Sequence, residues 1–125
     1  MLRKLLLPAF LLVAADASGA EIYDDPGAAR YSQKVLLKNW AFSACLSIVA
    51  TDDAARADAN ATAGAYLEYG HQPIEAYEEL RQLAEQFARR QYAGSVPSHF
   101  NTMKCIDLFH SRALDRLTAK WLRKG

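Results

Sequence analysis

From residue 28 onward the apolar side chains recur every three or four positions and rarely alternate. An α-helix repeats its faces every 3.6 residues and a strand every two, so this spacing argues against a sheet. It predicts an all-α fold, a small helical bundle of four to five helices. The first helix is expected from about Ala28 to Ala50, with Tyr31, Val35, Trp40, Ala44 and Ile48 along one side and Leu36, Leu37 and Phe42 widening the stripe. Asp24-Asp25-Pro26-Gly27 has the composition of a preceding turn.

A second helix is expected to begin near Thr51 as cap, with Asp52 and Asp53 on the positive end of its dipole, and to stop at Gly70 as a left-handed terminator. Alanine fills positions 54, 55, 57, 59, 61, 63 and 65, so this helix packs closely but brings little apolar area before Tyr66, Leu67 and Tyr69. Pro73 suits the first turn of a third helix carrying Ile74, Tyr77, Leu80, Ala84 and Phe87, with Glu85 and Arg89 spaced to pair. The connector from Ala93 to Ser98 contains Gly94 and Pro97, which interrupt helix and strand alike. A fourth helix is expected from Phe100 or Asn101, with Met103, Ile106 and Phe109, then Leu117 and Trp121, on its apolar side; Ser111 is placed to cap a fresh turn after a break near His110.

Residues 1–20 show a different order: a basic start at Arg3 and Lys4, an apolar run from Leu5 to Ala15, and a small-residue exit ending Ser18-Gly19-Ala20. This is the pattern of a cleaved secretory signal peptide. The run is well short of the ~20 residues that span a bilayer, so no stable membrane insertion is expected after cleavage. Cleavage is expected after Ala20, with Ala17 as the competing position, leaving residues 21–125 as a single domain. The full chain has 15 Lys+Arg against 14 Asp+Glu; removing Arg3, Lys4 and Asp16 leaves 13 of each. Such a balance, with 13 aromatic residues, argues against both a nucleic-acid partner and disorder. The charges are nevertheless segregated: residues 21–79 carry ten acids and four bases, and residues 80–125 three acids and nine bases. That asymmetry predicts a dipolar surface unless folding interleaves the two halves.

Two cysteines, Cys45 and Cys105, are present in a chain expected to reach an oxidising compartment. A disulfide between the first and last long helices is the expected pairing, and closing a loop of roughly 60 residues is worth about 4 kcal/mol in the chain-entropy model. A catalytic thiolate and two buried free thiols are the rival readings. For a hydrolase, Cys105 would need His99 or His110, which stand six before and five after it, spacings that do not share a helical face. Asp107 and His110, three apart, lack a second ligand pair for a metal, and no haem, phosphate-loop or nucleophile-elbow pattern occurs. No catalytic, cofactor or metal residues are therefore assigned. The surplus of Tyr66, Tyr69, Tyr77 and Tyr92 fits an interface or the edge of the core.

The stretch Asn101-Thr102-Met103-Lys104-Cys105-Ile106-Asp107-Leu108-Phe109-His110-Ser111, followed by Leu114-Asp115, resembles the C-terminal signature of the type VI secretion amidase immunity proteins. Leu37-Lys38-Asn39-Trp40-Ala41 with Cys45-Leu46, and residues 63–70 with their Tyr-Leu-Glu-Tyr-Gly ending, are similar to that family's first two helices. The resemblance implies a periplasmic, all-helical homodimer that performs no turnover. Its partner would be an injected peptidoglycan amidase, a papain-like cysteine peptidase that cleaves the γ-D-glutamyl-diaminopimelate stem, and inhibition would proceed by occluding that enzyme's cleft. A secreted Cys and His hydrolase using Cys105, and a general periplasmic binding module, are the alternatives.

An inhibitor of a concave cleft needs a protrusion that costs little to order. Gly94, Ser95, Val96, Pro97, Ser98 and His99 are the expected effector-binding residues, because small side chains enter a narrow groove and Pro97 restricts the backbone. Glu78, Glu79, Arg81 and Gln82 of the third helix are expected to support them. The alanine-rich helix, or the aromatic surface near it, is the expected dimer contact.

Overall fold

The computed structural model describes Gly19, Glu21 and residues 27–125. The expected signal segment, Gly19 apart, and the turn residues Asp24, Asp25 and Pro26 lie outside these. A 3-10 turn, Gly27–Arg30, leads into five helices: α1 (Gln33–Val49), α2 (Asp53–Glu68), α3 (Ile74–Ala88), α4 (Asn101–Phe109) and α5 (Arg112–Lys124). The first helix starts five residues later than expected. Ser32 explains the delay: its backbone is extended (φ −65°, ψ 157°) and its hydroxyl accepts the Val35 N–H at 3.2 Å, which caps Gln33 as the first helical residue.

α1 is the central helix and packs against each of the other four. Its buried residues Leu36, Leu37, Trp40, Ala41, Ala44 and Cys45 form two adjacent rows with residues four apart, one broad face that covers about half of the helix. Tyr31, Val35 and Ile48, expected on the inner side, are exposed. The two serines buried with the apolar residues are satisfied within the helix: Ser43 donates to Asn39 O at 2.8 Å and Ser47 to Ala44 O at 2.9 Å.

α2 lies on α1 through Ala59 and Ala63. Asp52 and not Thr51 caps it, its carboxylate accepting the Ala55 N–H at 2.8 Å. The helix ends without a left-handed glycine, since no described glycine has positive φ. Gly70 is required for another reason: a Cβ there would overlap the hydroxyl of Tyr77, which is buried from α3 and meets Trp40 edge-on at 5.1 Å. α3 begins after Pro73, which sits at the cap position with extended backbone. Tyr77, Leu80, Ala84 and Phe87 are buried as expected, whereas Ile74 is 61% exposed.

Ser111 divides the expected fourth helix in two. Its hydroxyl donates to Leu108 O at 2.7 Å and accepts the Leu114 N–H at 3.1 Å, closing α4 and capping α5. The expected disulfide Cys45–Cys105 (Cα–Cα 5.6 Å) joins α1 to α4, the first half of the divided helix. That bond also fixes which side of α4 faces inward. Lys104, Cys105 and Leu108 are buried, while Met103 and Ile106 of the expected apolar stripe are 47% and 45% exposed. α5 buries Leu114, Thr118 and Trp121, and is tied to α3 by Glu79, which receives Lys120 Nζ at 2.8 Å and Trp121 Nε1 at 3.0 Å.

Candidate functional site

Between α3 and α4 the chain leaves the bundle and returns without regular structure. Gly94, Ser95, Val96, Pro97, Ser98 and His99 are all exposed. Val96 is 64% exposed, the largest value among the exposed large hydrophobic side chains. An apolar side chain held outward at the end of a loop contributes nothing to the core.

Both ends of the loop are fastened. On the incoming side the Arg90 guanidinium lies 3.6 Å from the centre of the Phe87 ring, and the Tyr92 hydroxyl donates to the Asp107 carboxylate of α4. On the outgoing side Phe100 adopts the left-handed conformation (φ 52°, ψ 40°), the one positive φ among the described non-glycine residues. Its N–H donates to Ser98 Oγ at 3.0 Å, and its ring covers Gly94 so closely that a Cβ there would lie 2.7 Å from the ring. The next residue, Asn101, donates to Val49 O at 3.3 Å at the end of α1, and four residues on the disulfide holds α4 to the same helix. Sequence reasoning found the loop but not its fastenings. Tyr92, Phe100 and Asp107 are scattered over sixteen positions, and no local pattern marks an aromatic residue destined for positive φ.

The helix-three residues expected to support the loop divide into two groups. Glu78, Arg81 and Gln82 are exposed, and the Arg81 guanidinium lies 5.4 Å from the Trp40 ring. Glu79 is engaged with α5: the hydrogen bond from Lys120, then that from Trp121, hold its carboxyl below the ordinary value. Cys105 is fully buried and disulfide-bonded to Cys45, so it offers no free thiol to a nucleophilic mechanism. Asp107 is bound to Tyr92, while His110 meets the Phe109 ring edge-on at 5.4 Å. Among the described residues no group of three His, Cys, Asp or Glu is placed to hold a metal, and no helix is long and apolar enough to cross a membrane. A concavity of about 500 Å³ opens between α1, α2 and α4, with Phe42, Leu46, Tyr66, Ile106 and Phe109 around it.

Comparison with known proteins gives consistent relatives. A chain in the structure of the Tae4/Tai4 effector–immunity system from Salmonella typhimurium is 49% identical, with a TM-score of 0.74 over 77% of this chain and 95% of that one. The Tae4–Tai4 effector–immunity complex from Enterobacter cloacae contains a chain 26% identical, with a TM-score of 0.69 over 78% of this chain and 99% of that one. A structure from work on type VI-secreted toxins and self-resistance proteins in Serratia marcescens matches at 28% identity and a TM-score of 0.76, over 83% of this chain and 87% of that one. A comparison with curated proteins finds no match. The model of the Tai4 family, described as type VI secretion system amidase immunity protein, matches residues 35–118, a span that includes both cysteines and the whole exposed loop. The chain belongs to the type VI secretion system amidase immunity protein family.

Proposed function

We propose that this protein binds a type VI secretion peptidoglycan amidase and blocks its active-site cleft with the 94–99 loop. Family membership supports the choice of partner, as do the Salmonella typhimurium and Enterobacter cloacae relatives seen with Tae4 effectors. Salmonella typhimurium Tae4 also forms a complex with Enterobacter cloacae Tai4, so one effector accepts immunity proteins of divergent sequence. The observation that carries the loop assignment is Val96, an apolar side chain 64% exposed on a segment fastened at both ends. Protrusions of this kind fill a groove with small ordering losses. The protein acts as an inhibitor without turnover of its own.

Residues 1–20 direct export, with cleavage after Ala20 or Ala17, and the mature protein works in the periplasm, where peptidoglycan lies. It works there as a homodimer, paired through the alanine-rich α2 or the neighbouring aromatic surface around Tyr66 and Phe109. Light scattering on the mature protein tests this, and a monomer mass would contradict it.

Co-expression tests the inhibitory function. Cells making Salmonella typhimurium Tae4 directed to the periplasm are expected to survive when they also make the full chain. They are expected to lyse when residues 2–20 are deleted, or when Val96→Glu and Pro97→Arg are introduced together. Continued lysis with the unaltered chain would overturn the reading, and protection by the doubly substituted chain would move the contact away from the loop.

A further inference from the structure

An exposed loop of six residues with glycine near one end ordinarily samples many shapes, and a binding partner must then select one at an entropic cost. In this protein Phe100 closes the inner neck of the loop, inside the bond between Tyr92 and Asp107. We infer that Phe100 is a positioning residue: its ring, seated on Gly94, sets the 94–99 loop in its binding shape before an effector arrives. This rests on the reading that the loop is the effector contact.

Three observations converge on Phe100. The first is its backbone. A bulky aromatic residue at φ 52° occupies a region such residues avoid, so the surroundings must over-determine it. The second is its place in the sequence of elements. Phe100 stands at the N-cap of α4 and makes no side-chain cap, whereas Ser, Thr, Asp or Asn with extended backbone would stabilise the helix. Helix stability thus fails to explain either the residue or its conformation.

The third observation is what the conformation achieves. It turns the Phe100 ring back onto Gly94, where the nearest ring atoms would be 2.7 and 3.2 Å from a Cβ, while its N–H reaches Ser98 Oγ at 3.0 Å. One residue therefore touches both ends of the loop. On its other side Phe100 is immobilised by the bundle: its carbonyl accepts the Lys104 N–H at 3.1 Å, Asn101 bonds to Val49 O, and Cys105 is disulfide-linked to Cys45. Gly94 complements this arrangement, because only a residue without a side chain leaves room for the ring. The Tyr92 to Asp107 bond forms an outer clasp on the same neck.

The test combines loop order in the free protein with affinity for purified Salmonella typhimurium Tae4. Backbone amide order parameters over residues 94–99, proline excepted, are expected to be close to the ~0.85 of rigid backbone in the unaltered chain and to fall below ~0.6 in Phe100→Gly. That substitution relaxes the positive φ while removing the ring. Affinity is expected to fall about tenfold or more in Phe100→Gly and in Gly94→Ala, with the unfolding midpoint little changed. Gly94→Ala is expected to add nothing further in the Phe100→Gly background, since the ring it displaces is already gone. A mobile loop in the unaltered chain, or equal order and affinity with and without the ring, would overturn the assignment, as would additive effects of the two substitutions. Val96→Glu separates the two levels: unchanged affinity there would remove the loop as effector contact, while the order parameters would still decide whether Phe100 holds it.

Discussion

At the scale of single residues, Gly70 and Tyr77 form a close approach on which the α2–α3 corner depends. Adding one methyl group at Gly70 forces a buried aromatic ring away from Trp40, and overpacking of this kind costs about 1–3 kcal/mol. Gly70→Ala is expected to lower the urea midpoint accordingly, and a Tyr77→Phe background is expected to reduce that loss because the obstructing hydroxyl is absent. Glu79 gives a pH signature. Its folded carboxyl titrates below its ordinary value of 4.5 because Lys120 and Trp121 bond to the ionised form. The stabilisation it contributes is present above pH 4.5 and is lost as pH falls through the lower folded value. Asp115, bonded to Lys38 at 3.0 Å, follows the same sign. Stability is thus expected to fall in acid, and Glu79→Gln is expected to flatten that fall in denaturation curves recorded across pH 3 to 6. The glycine at position 70 was visible in the sequence, but its reason was not: a turn signal and a packing requirement select the same residue.

At the scale of elements, the helices could be read from spacing while their inward faces could not. The central α1 contacts four neighbours, so its buried face is about half the helix wide, and it runs through Leu36, Leu37, Trp40, Ala41, Ala44 and Cys45 and not through Val35 or Ile48. α4 has nine residues, too few for periodicity to choose a face firmly, and two of its apolar side chains, Met103 and Ile106, are exposed while Leu108 is buried. The usable signal was Cys105. Once paired with Cys45 it must face α1, and Leu108, three residues on, follows it inward. The bond matters for stability as well as orientation. Replacing both cysteines with alanine is expected to cost about 2–4 kcal/mol in chemical denaturation. A loss near zero would show that packing alone holds α4 in place.

At the scale of the whole molecule, the segregated charges are only partly cancelled by folding. Lys38–Asp115 and Glu79–Lys120 link the acidic and basic halves of the chain. Asp52, Asp53 and Glu68 of the α2 region and Arg112, Arg116 and Arg123 of α5 remain exposed, and α2 packs on α1 while α5 packs on α1, α3 and α4. Exposed acids on α2 and exposed bases on α5 therefore keep part of the sequence's charge segregation in the fold. The loop itself was legible because glycine, proline and small residues between two strong helices leave few alternatives. Its fastening was not, since it arises from contacts between Tyr92, Gly94, Phe100 and Asp107 that only the fold brings together. The most direct measurement is the hydrolysis of peptidoglycan by purified Salmonella typhimurium Tae4, titrated with the purified mature chain. Activity is expected to fall to background as the chain approaches equimolar amounts, and to persist when Val96→Glu and Pro97→Arg are introduced together. Undiminished hydrolysis at a large excess of the folded, unaltered chain would contradict inhibition.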